Sequence, residues 1–328
     1  MTYYLLLFIL FLAIELSYFY IARKYNIVDK PNERSSHTGS PIRGGGILFW
    51  FSCICYAIIH NPQGIYFAVA LTLLCVVSFF DDLMSVKKRI RILFHFLAIG
   101  VLFFDLRIYS CIPVWAIPLA LIVAVGILNA FNFMDGINGM TGLYNLLLLL
   151  FLQYINLQLV SFTNPEFIWF AVIPCAIFLF FNYRKQAVCF LGDTGSMAIA
   201  IWIIYILLKL MIVTKSLVWI LFLSVYGVDT VGTVIYRLYL RKSIFEAHRM
   251  FFFQILSNEL RIPQRVVSIL YAVVNLAVCI LITQAYFRSS KAAWVTGGIA
   301  VLVLTGIFGL RFCPAIGRRL RTNKFIDG

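Results

Sequence analysis

Apolar positions run through this chain in unbroken blocks separated by short polar stretches, with little of the alternation expected of half-buried strands. The blocks are roughly 17 to 21 residues long, enough for a helix to cross a hydrocarbon core of about 30 Å. Eleven spans are predicted, at 2–21, 45–61, 64–81, 92–107, 113–129, 141–160, 166–182, 196–213, 216–236, 265–287 and 292–311. The span at 92–107 is the least regular, being short and close to His95 and Asp105. The fold class that follows is all-α: a polytopic transmembrane helix bundle of about 11 spans, forming a single integral membrane domain over residues 1–328.

Composition agrees with this pattern. Of 328 residues, 62% are hydrophobic and 12% charged, about half the charged share of a soluble domain. The net charge of +14 therefore belongs to the membrane edges, and no nucleic acid partner is expected. Lys and Arg also set the orientation. If the N-terminus is outside, the inner segments hold 22 of the 27 basic residues, including Lys30, Arg43, Lys87, Arg91, Arg237 and Arg249. The other five, Arg107, Lys209, Lys215, Arg288 and Lys291, fall at the opposite ends. The expected topology is N-terminus out and C-terminus in, with the first span acting as an uncleaved anchor. The eight cysteines lack metal-type spacing and are read as free thiols packed as small apolar residues.

Against this background a few polar stretches stand out: "VDKPNERSSHTGSPIRGGG" (28–46), "FFDDLMSVKKR", "NAFNFMDGINGMTG" (129–142), "FLGDTGS" (190–196) and "YGVDTVGTVIYRLYLRKSIFEAHRMFFFQ" (226–254). All are predicted to belong to the inner face, in loops spanning 22–44, 81–91, 129–142, 182–196 and 237–264. Carboxylates at membrane depth are costly and mark function, and five of the 13 acids lie in these stretches: Asp81, Asp82, Asp135, Asp193 and Asp229. Asp229, eight residues before Arg237, would lie roughly 12 Å deeper along a helix. Glu15 and Asp105 are read as structural, as are His60 and His95, each expected to be a satisfied helix-end or core histidine.

The residue types narrow the chemistry. Adjacent helical residues point about 100° apart, so Asp81 and Asp82 are expected to face different partners. Asn129, Asn132 and Asp135 recur every three residues and share one broad face if helical. Asp193 lies between Gly192 and Gly195 just before a span, where a helix start would offer N–H groups to an anion. Hard oxygen ligands without His or Cys clusters favour Mg²⁺ or Mn²⁺, and Mg²⁺ usually binds through one or two carboxylates plus phosphate oxygens. With Lys30, Arg43, Lys87, Arg237, His248 and Arg249 as candidate cations, the set suits a diphosphate substrate meeting a lipid phosphate at the membrane surface.

These motifs, in this order, resemble the polyprenyl-phosphate N-acetylhexosamine-1-phosphate transferases of glycosyltransferase family 4. The opening "DKPNERSSHTGSPIRGGG" is similar to the bacterial branch that starts O-antigen, capsule and related surface glycans. The resemblance implies transfer of N-acetylhexosamine-1-phosphate from a UDP-N-acetylhexosamine to undecaprenyl phosphate, with release of UMP and dependence on Mg²⁺ or Mn²⁺. It implies catalytic or lipid-phosphate roles for Asp81 and Asp82, and metal-binding roles for Asp193 and Asn132. Asn129, Asp135 and Asn138 would contact substrate, as would the basic loop at His248 and Arg249; Lys30, Arg43 and Asp229 complete the expected substrate set. The implied location is the bacterial inner membrane, with the site facing the cytoplasm and room left for a homodimer.

Two positions depart from the family pattern. "DGING" carries Asn138 where bacterial members usually have Asp; Asn also occurs there in the family's eukaryotic relatives, so an ionised carboxylate at that position is not essential. "HRMFFFQ" has Phe251 and Phe253 in place of a second histidine and a tyrosine. A multi-span transporter is the rival reading, but its polar groups would gather near the midplane, not at one face. An inactive family member with a binding role is the other alternative.

Overall fold

The computed structural model describes residues 2–29, 39–62, 64–84, 86–243 and 249–312. Each of the eleven predicted spans coincides with a helix. In chain order the helices are α1 (Thr2–Lys24), α2 (Ile47–Ile59), α3 (Ile65–Met84), α4 (Lys88–Asp105), α5 (Ile117–Met134), α6 (Met140–Tyr154), α7 (Pro165–Asn182), α8 (Gly192–Thr214), α9 (Ser224–Tyr239), α10 (Phe252–Gln254), α11 (Gln264–Arg288) and α12 (Ser290–Gly309), of which α10 is a single turn outside the predicted spans. Among the described residues, nine helical stretches are long and apolar enough to cross a membrane. The two predicted spans outside that number have simple reasons. α2 is 13 residues long, and α4 carries Lys88, Arg89, Arg91 and Asp105 near its ends. The chain is an all-α, multi-pass membrane protein.

α8 is the hub because it is apolar on every side, and a helix of that kind belongs in an interior. Every residue from Thr194 to Leu207 is buried, including Trp202 and Tyr205. It packs against α3, α5 and α2. Phe67 of α3 and Phe167 of α7 close on Trp202 with ring centroids 4.6 and 4.4 Å apart. α12 is the opposite case: Leu302, Val303 and Ile307 are exposed, as suits a face turned toward lipid. α6, α7, α11 and α12 form a second group, in which α11 lies against both α6 and α12.

The helices also place two irregular segments together. Val28 pairs with Ile42, and Ile42 pairs with Cys189, in short backbone bridges. The Ile42 N–H donates to Val188 O at 2.9 Å, and its carbonyl accepts from Phe190 N–H at 2.8 Å. Two loops far apart in sequence therefore meet where α8 begins. The same end of the bundle holds the close of α3 and the start of α4.

Cys111, in the connection after α4, is the exposed free cysteine among the described residues. With the N-terminus outside, a membrane-impermeant maleimide should label Cys111 in intact cells. Labelling of this cysteine only after the cells are opened would invert the orientation expected from the basic residues.

Candidate functional site

The site is assembled around the first turn of α8. Gly192 has φ of +72°, and a Cβ there would lie 2.9 Å from Asp82 Oδ2 and 3.1 Å from the Gly44 nitrogen. One turn on, Gly46 and Gly195 meet backbone to backbone: a Cβ on either would fall 2.2 to 2.5 Å from the other's Cα. These glycines let the 43–46 loop and the helix start touch, which brings Arg43 to Asp82.

Asp82 reaches across from α3 and accepts from the N–H groups of Asp193 and Thr194, both at 3.3 Å, and from Thr194 Oγ1 at 3.1 Å. Its Oδ1 is also 3.0 Å from Arg43 Nε. The anion seated on this helix start is thus the protein's own carboxylate, and the dipole there stabilises it. The sequence pointed to an anion at this helix start, and that place is taken by Asp82. Asp81 points elsewhere, as the helical geometry required. Its Oδ1 accepts from Val86 N–H at 2.7 Å, and its Oδ2 pairs with Arg91 Nη1. Arg91 Nη2 lies 3.1 Å from Asp193 Oδ2, so one guanidinium joins the two acids.

Asn132 stands beside this group. Its Nδ2 donates to Ser196 Oγ at 3.1 Å, and Ser196 Oγ donates to Asp193 O at 3.2 Å. Next to them opens a polar cavity of about 270 Å³, lined by Asp29, Arg43, Asn132, Asp135, Gly136, Ile137, Asn138, Asn182, Phe190, Leu191, Gly192, Asp193, Gln254 and Gln264. Asp135 follows the last residue of α5 and is partly buried on the cavity wall. Burial, with the charges of Asp193 and Asp82 adding to it, pushes its carboxyl up to about 7.

The remaining expected residues divide. Asn138 lines the cavity but is also structural: its Nδ2 donates to Arg184 O at 3.0 Å, its N–H to Gln264 Oε1 at 3.1 Å, and Ser268 Oγ donates to its carbonyl at 2.8 Å. Asn129 does not line the cavity, and its Nδ2 donates to Val125 O of its own helix. Asp229 is not brought to the cavity either. It is buried, accepting from Phe252 N–H at 2.8 Å, Phe253 N–H at 3.2 Å and Tyr271 OH at 2.7 Å. It anchors the 251–254 segment in place of a substrate. Arg249 is partly buried and does not line the cavity, while Lys30 and His248 lie outside the described residues.

The two phenylalanines that depart from the family pattern pack as a column. Phe251 stacks between Phe133 and Phe253, with centroids 5.9 Å apart on both sides. Phe253 sits over Gly136, where a Cβ would meet its ring at 2.8 Å. His60 is a helix-end histidine, its Nε2 3.0 Å from Glu166 Oε2. His95 is a core residue, 1% exposed, but neither ring nitrogen has a partner.

Several site residues were not anticipated as such. Arg91 stood in a basic run read only for topology. Asn182 caps the start of the 139–142 segment, its Oδ1 accepting from Gly139 N–H at 2.6 Å and its Nδ2 donating to Cys189 O at 2.9 Å. Gln254 and Gln264 are single amides; the signal available was the final residue of "HRMFFFQ" for one and the helix start after Pro263 for the other.

Residues 64–211, from the start of α3 almost to the end of α8, match the model of glycosyl transferase family 4. This segment belongs to that family. The family 4 match takes in Asp81, Asp82, Asn129, Asn132, Asp135, Asn138 and Asp193, and leaves Lys30, Arg43, Asp229, His248 and Arg249 outside. Similar proteins include a phospho-N-acetylmuramoyl-pentapeptide-transferase of Petrotoga mobilis, 27% identical over 195 residues, covering 52% of this chain and 60% of the relative. The undecaprenyl-phosphate alpha-N-acetylglucosaminyl 1-phosphate transferase of Escherichia coli O157:H7 is 28% identical over 224 residues, covering 58% of this chain and 56% of the relative. A probable undecaprenyl-phosphate N-acetylglucosaminyl 1-phosphate transferase of Bacillus subtilis is 26% identical over 198 residues, covering 54% and 53%. The chain thus spans 53 to 60% of the length of these three family 4 relatives.

Two outcomes follow from the packing. Gly195→Ala should destabilise the protein by about 1–3 kcal/mol, the usual cost of overpacking, read as a lower melting temperature in detergent. The second concerns Asp135. Its carboxyl is raised from 3.8 to about 7 in the folded protein, so the folded state holds that proton more tightly than the unfolded chain. Stability of the metal-free protein should fall as pH rises from about 4 to about 7. Asp135→Asn should flatten that part of the profile, and an unchanged slope would contradict the assignment.

Proposed function

We propose that this protein transfers an N-acetylhexosamine-1-phosphate from a UDP-sugar to undecaprenyl phosphate at the cytoplasmic face of the bacterial inner membrane. The product would be a lipid-diphosphate-linked sugar, the starting unit of an O-antigen, capsule or related glycan. The observation that carries the reading is the convergence of Asp81, Asp82 and Asp193 with Arg43 and Arg91 at one end of the membrane bundle, beside a polar cavity. A transporter would want such groups near the midplane. The names of the family 4 relatives add support, since two are undecaprenyl-phosphate sugar-1-phosphate transferases and the other transfers a phospho-sugar.

In the reaction, an oxygen of the lipid phosphate attacks the β-phosphorus of the UDP-sugar. The bond from that phosphorus to the bridging oxygen breaks, and UMP leaves with the bond's electrons. The lipid phosphate has a second pKa of about 6, so it is largely ionised at neutral pH and needs little help from a base. The greater difficulty is bringing anions together. Among the described residues around the site there are five carboxyls, Asp29, Asp81, Asp82, Asp135 and Asp193, against the guanidinium groups of Arg43 and Arg91. Added positive charge would ease the approach of a polyanionic substrate to these acids.

Mg²⁺ or Mn²⁺ would supply that charge, neutralising phosphate oxygens in the transition state. The donor set fits such an ion in a particular way. No group of three or more His, Cys, Asp or Glu side chains among the described residues is arranged to hold a metal. Asp193 and Asn132 would therefore be a sparse protein contribution, completed by phosphate oxygens, as magnesium prefers. Asp82 is fixed by the α8 start, and Asp81 by Val86 N–H. These rigid acids would orient the lipid phosphate or accept a residual proton, and Arg43 and Arg91 would face the phosphates.

Purified protein with undecaprenyl phosphate, Mg²⁺ and a panel of UDP-N-acetylhexosamines should release UMP only when the lipid is present. Release of UDP would mean transfer of the sugar alone and would overturn the proposal. Asp193→Asn should lower turnover roughly 100-fold or more, the loss expected when a metal or charge-stabilising contact is removed.

A further inference from the structure

Arg91, which the transferase reading turns toward the phosphates, is held by two carboxylates in this structure. It lies in the first turn of α4, and its side chain is 23% exposed. Its guanidinium fork holds Asp81 with one nitrogen and Asp193 with the other, 3.1 Å from Asp193 Oδ2. A forked guanidinium on two carboxylates is a strong, oriented contact. Yet Asp193 is also the acid that the reading gives to a divalent ion. A doubly charged ion placed on that same Oδ2 would be repelled by the guanidinium at that range, so the two cations compete for it.

The neighbouring acids indicate which partner would move. Asp81 keeps Val86 N–H on its other oxygen, and Asp82 keeps the N–H groups of Asp193 and Thr194 together with Arg43. Release of Arg91 would leave both in place and would free Asp193. The long arginine side chain starts at a helix end and is partly solvated, so it can turn without disturbing the backbone. A diphosphate entering the cavity would give it a new acceptor.

We propose that Arg91 is a placeholder cation and a positioning residue. In the substrate-free protein it holds Asp81 and Asp193 where a divalent ion would otherwise sit. It exchanges Asp193 for a phosphate oxygen when a nucleoside diphosphate arrives with the metal. This rests on the transferase reading and adds an order to it: metal binding depends on the nucleotide, and by linkage nucleotide binding depends equally on metal.

The test is a Mn²⁺ titration of the full chain in detergent, following the electron paramagnetic resonance signal of the free ion with and without UDP. Wild type should bind Mn²⁺ weakly alone and more tightly with UDP. Arg91→Gln should bind Mn²⁺ without UDP roughly tenfold more tightly than wild type, and UDP should add less. Arg91→Lys keeps the charge but loses the fork, so it should fall between the two. Unchanged or weaker Mn²⁺ binding by a folded Arg91→Gln overturns the proposal. If that variant does not fold, Arg91→Lys decides, with affinity no higher than wild type counting against the placeholder. UDP-dependent Mn²⁺ binding with indifferent Arg91 variants sinks the placeholder alone. Absence of Mn²⁺ binding to wild type under both conditions sinks the metal reading and this proposal together.

Discussion

The carboxylate of Asp82 on the first turn of α8 is the contact from which the rest of the site is built. A helix start leaves several N–H groups without partners, and inside a membrane bundle there is little water to satisfy them. Asp82 supplies that satisfaction from another helix, so α3 and α8 are fixed relative to each other at the level of the chemistry. The second oxygen contact, to Arg43, draws in the 43–46 loop, and the facing glycines Gly46 and Gly195 permit the approach. Three segments distant in sequence thus become one wall. The same carboxylate explains why an acid beside it is tolerated: Asp81 turns away and is neutralised by Arg91.

Much of the fold is legible in the sequence because the bilayer imposes a length on every helix. Apolar runs of the right size are visible without any knowledge of partners, and each of the eleven corresponds to a helix. The site was legible in a different way. Acids are sparse in this chain, so Asp81, Asp82, Asp135 and Asp193 stood out, and they do converge. Asp229 stood out for the same reason and serves another purpose, because sequence depth alone cannot distinguish a carboxylate facing substrate from one capping backbone N–H groups. Arg91 was obscured by its surroundings. In a run of four basic residues at a membrane edge, charge reports topology, and only the geometry reveals which one turns inward. Asn182 and Gln264 were invisible because a single amide carries no spacing or charge signal.

The aromatic loop shows how the far wall is held without polar chemistry of its own. Asp229 takes the N–H groups of Phe252 and Phe253, while Arg311 Nη2 donates to Met250 O at 2.6 Å. Arg311 also lies over the rings of Tyr236 and Phe308 at 4.8 and 4.7 Å. These buried charged groups fix the backbone of residues 250–253, which lets Phe251 and Phe253 stack against Phe133 and close over Gly136. The polar edge left to the cavity by this segment is Gln254. A neutral amide beside a packed aromatic column cannot exchange protons with a substrate. Among the described residues, acid–base chemistry at the cavity is thereby left to its carboxyls, Asp29, Asp135 and Asp193.

That asymmetry bears on how the two substrates would meet. On the proposed reading, the lipid phosphate would approach from the bilayer, where the ends of α3 and α4 carry Asp81 and Arg91, and the nucleotide sugar from water, through the polar cavity. The acids between them would disfavour both anions, so the cluster would admit a phosphate carrying a cation more readily than one alone. A site made only of basic residues would bind either substrate singly and tightly, with no need for the other. One balanced by arginines on carboxylates holds little net attraction until a substrate rearranges its partners. On that reading the cost of burying these charges at the membrane edge would have a function: it would make productive binding conditional on the full set of reactants.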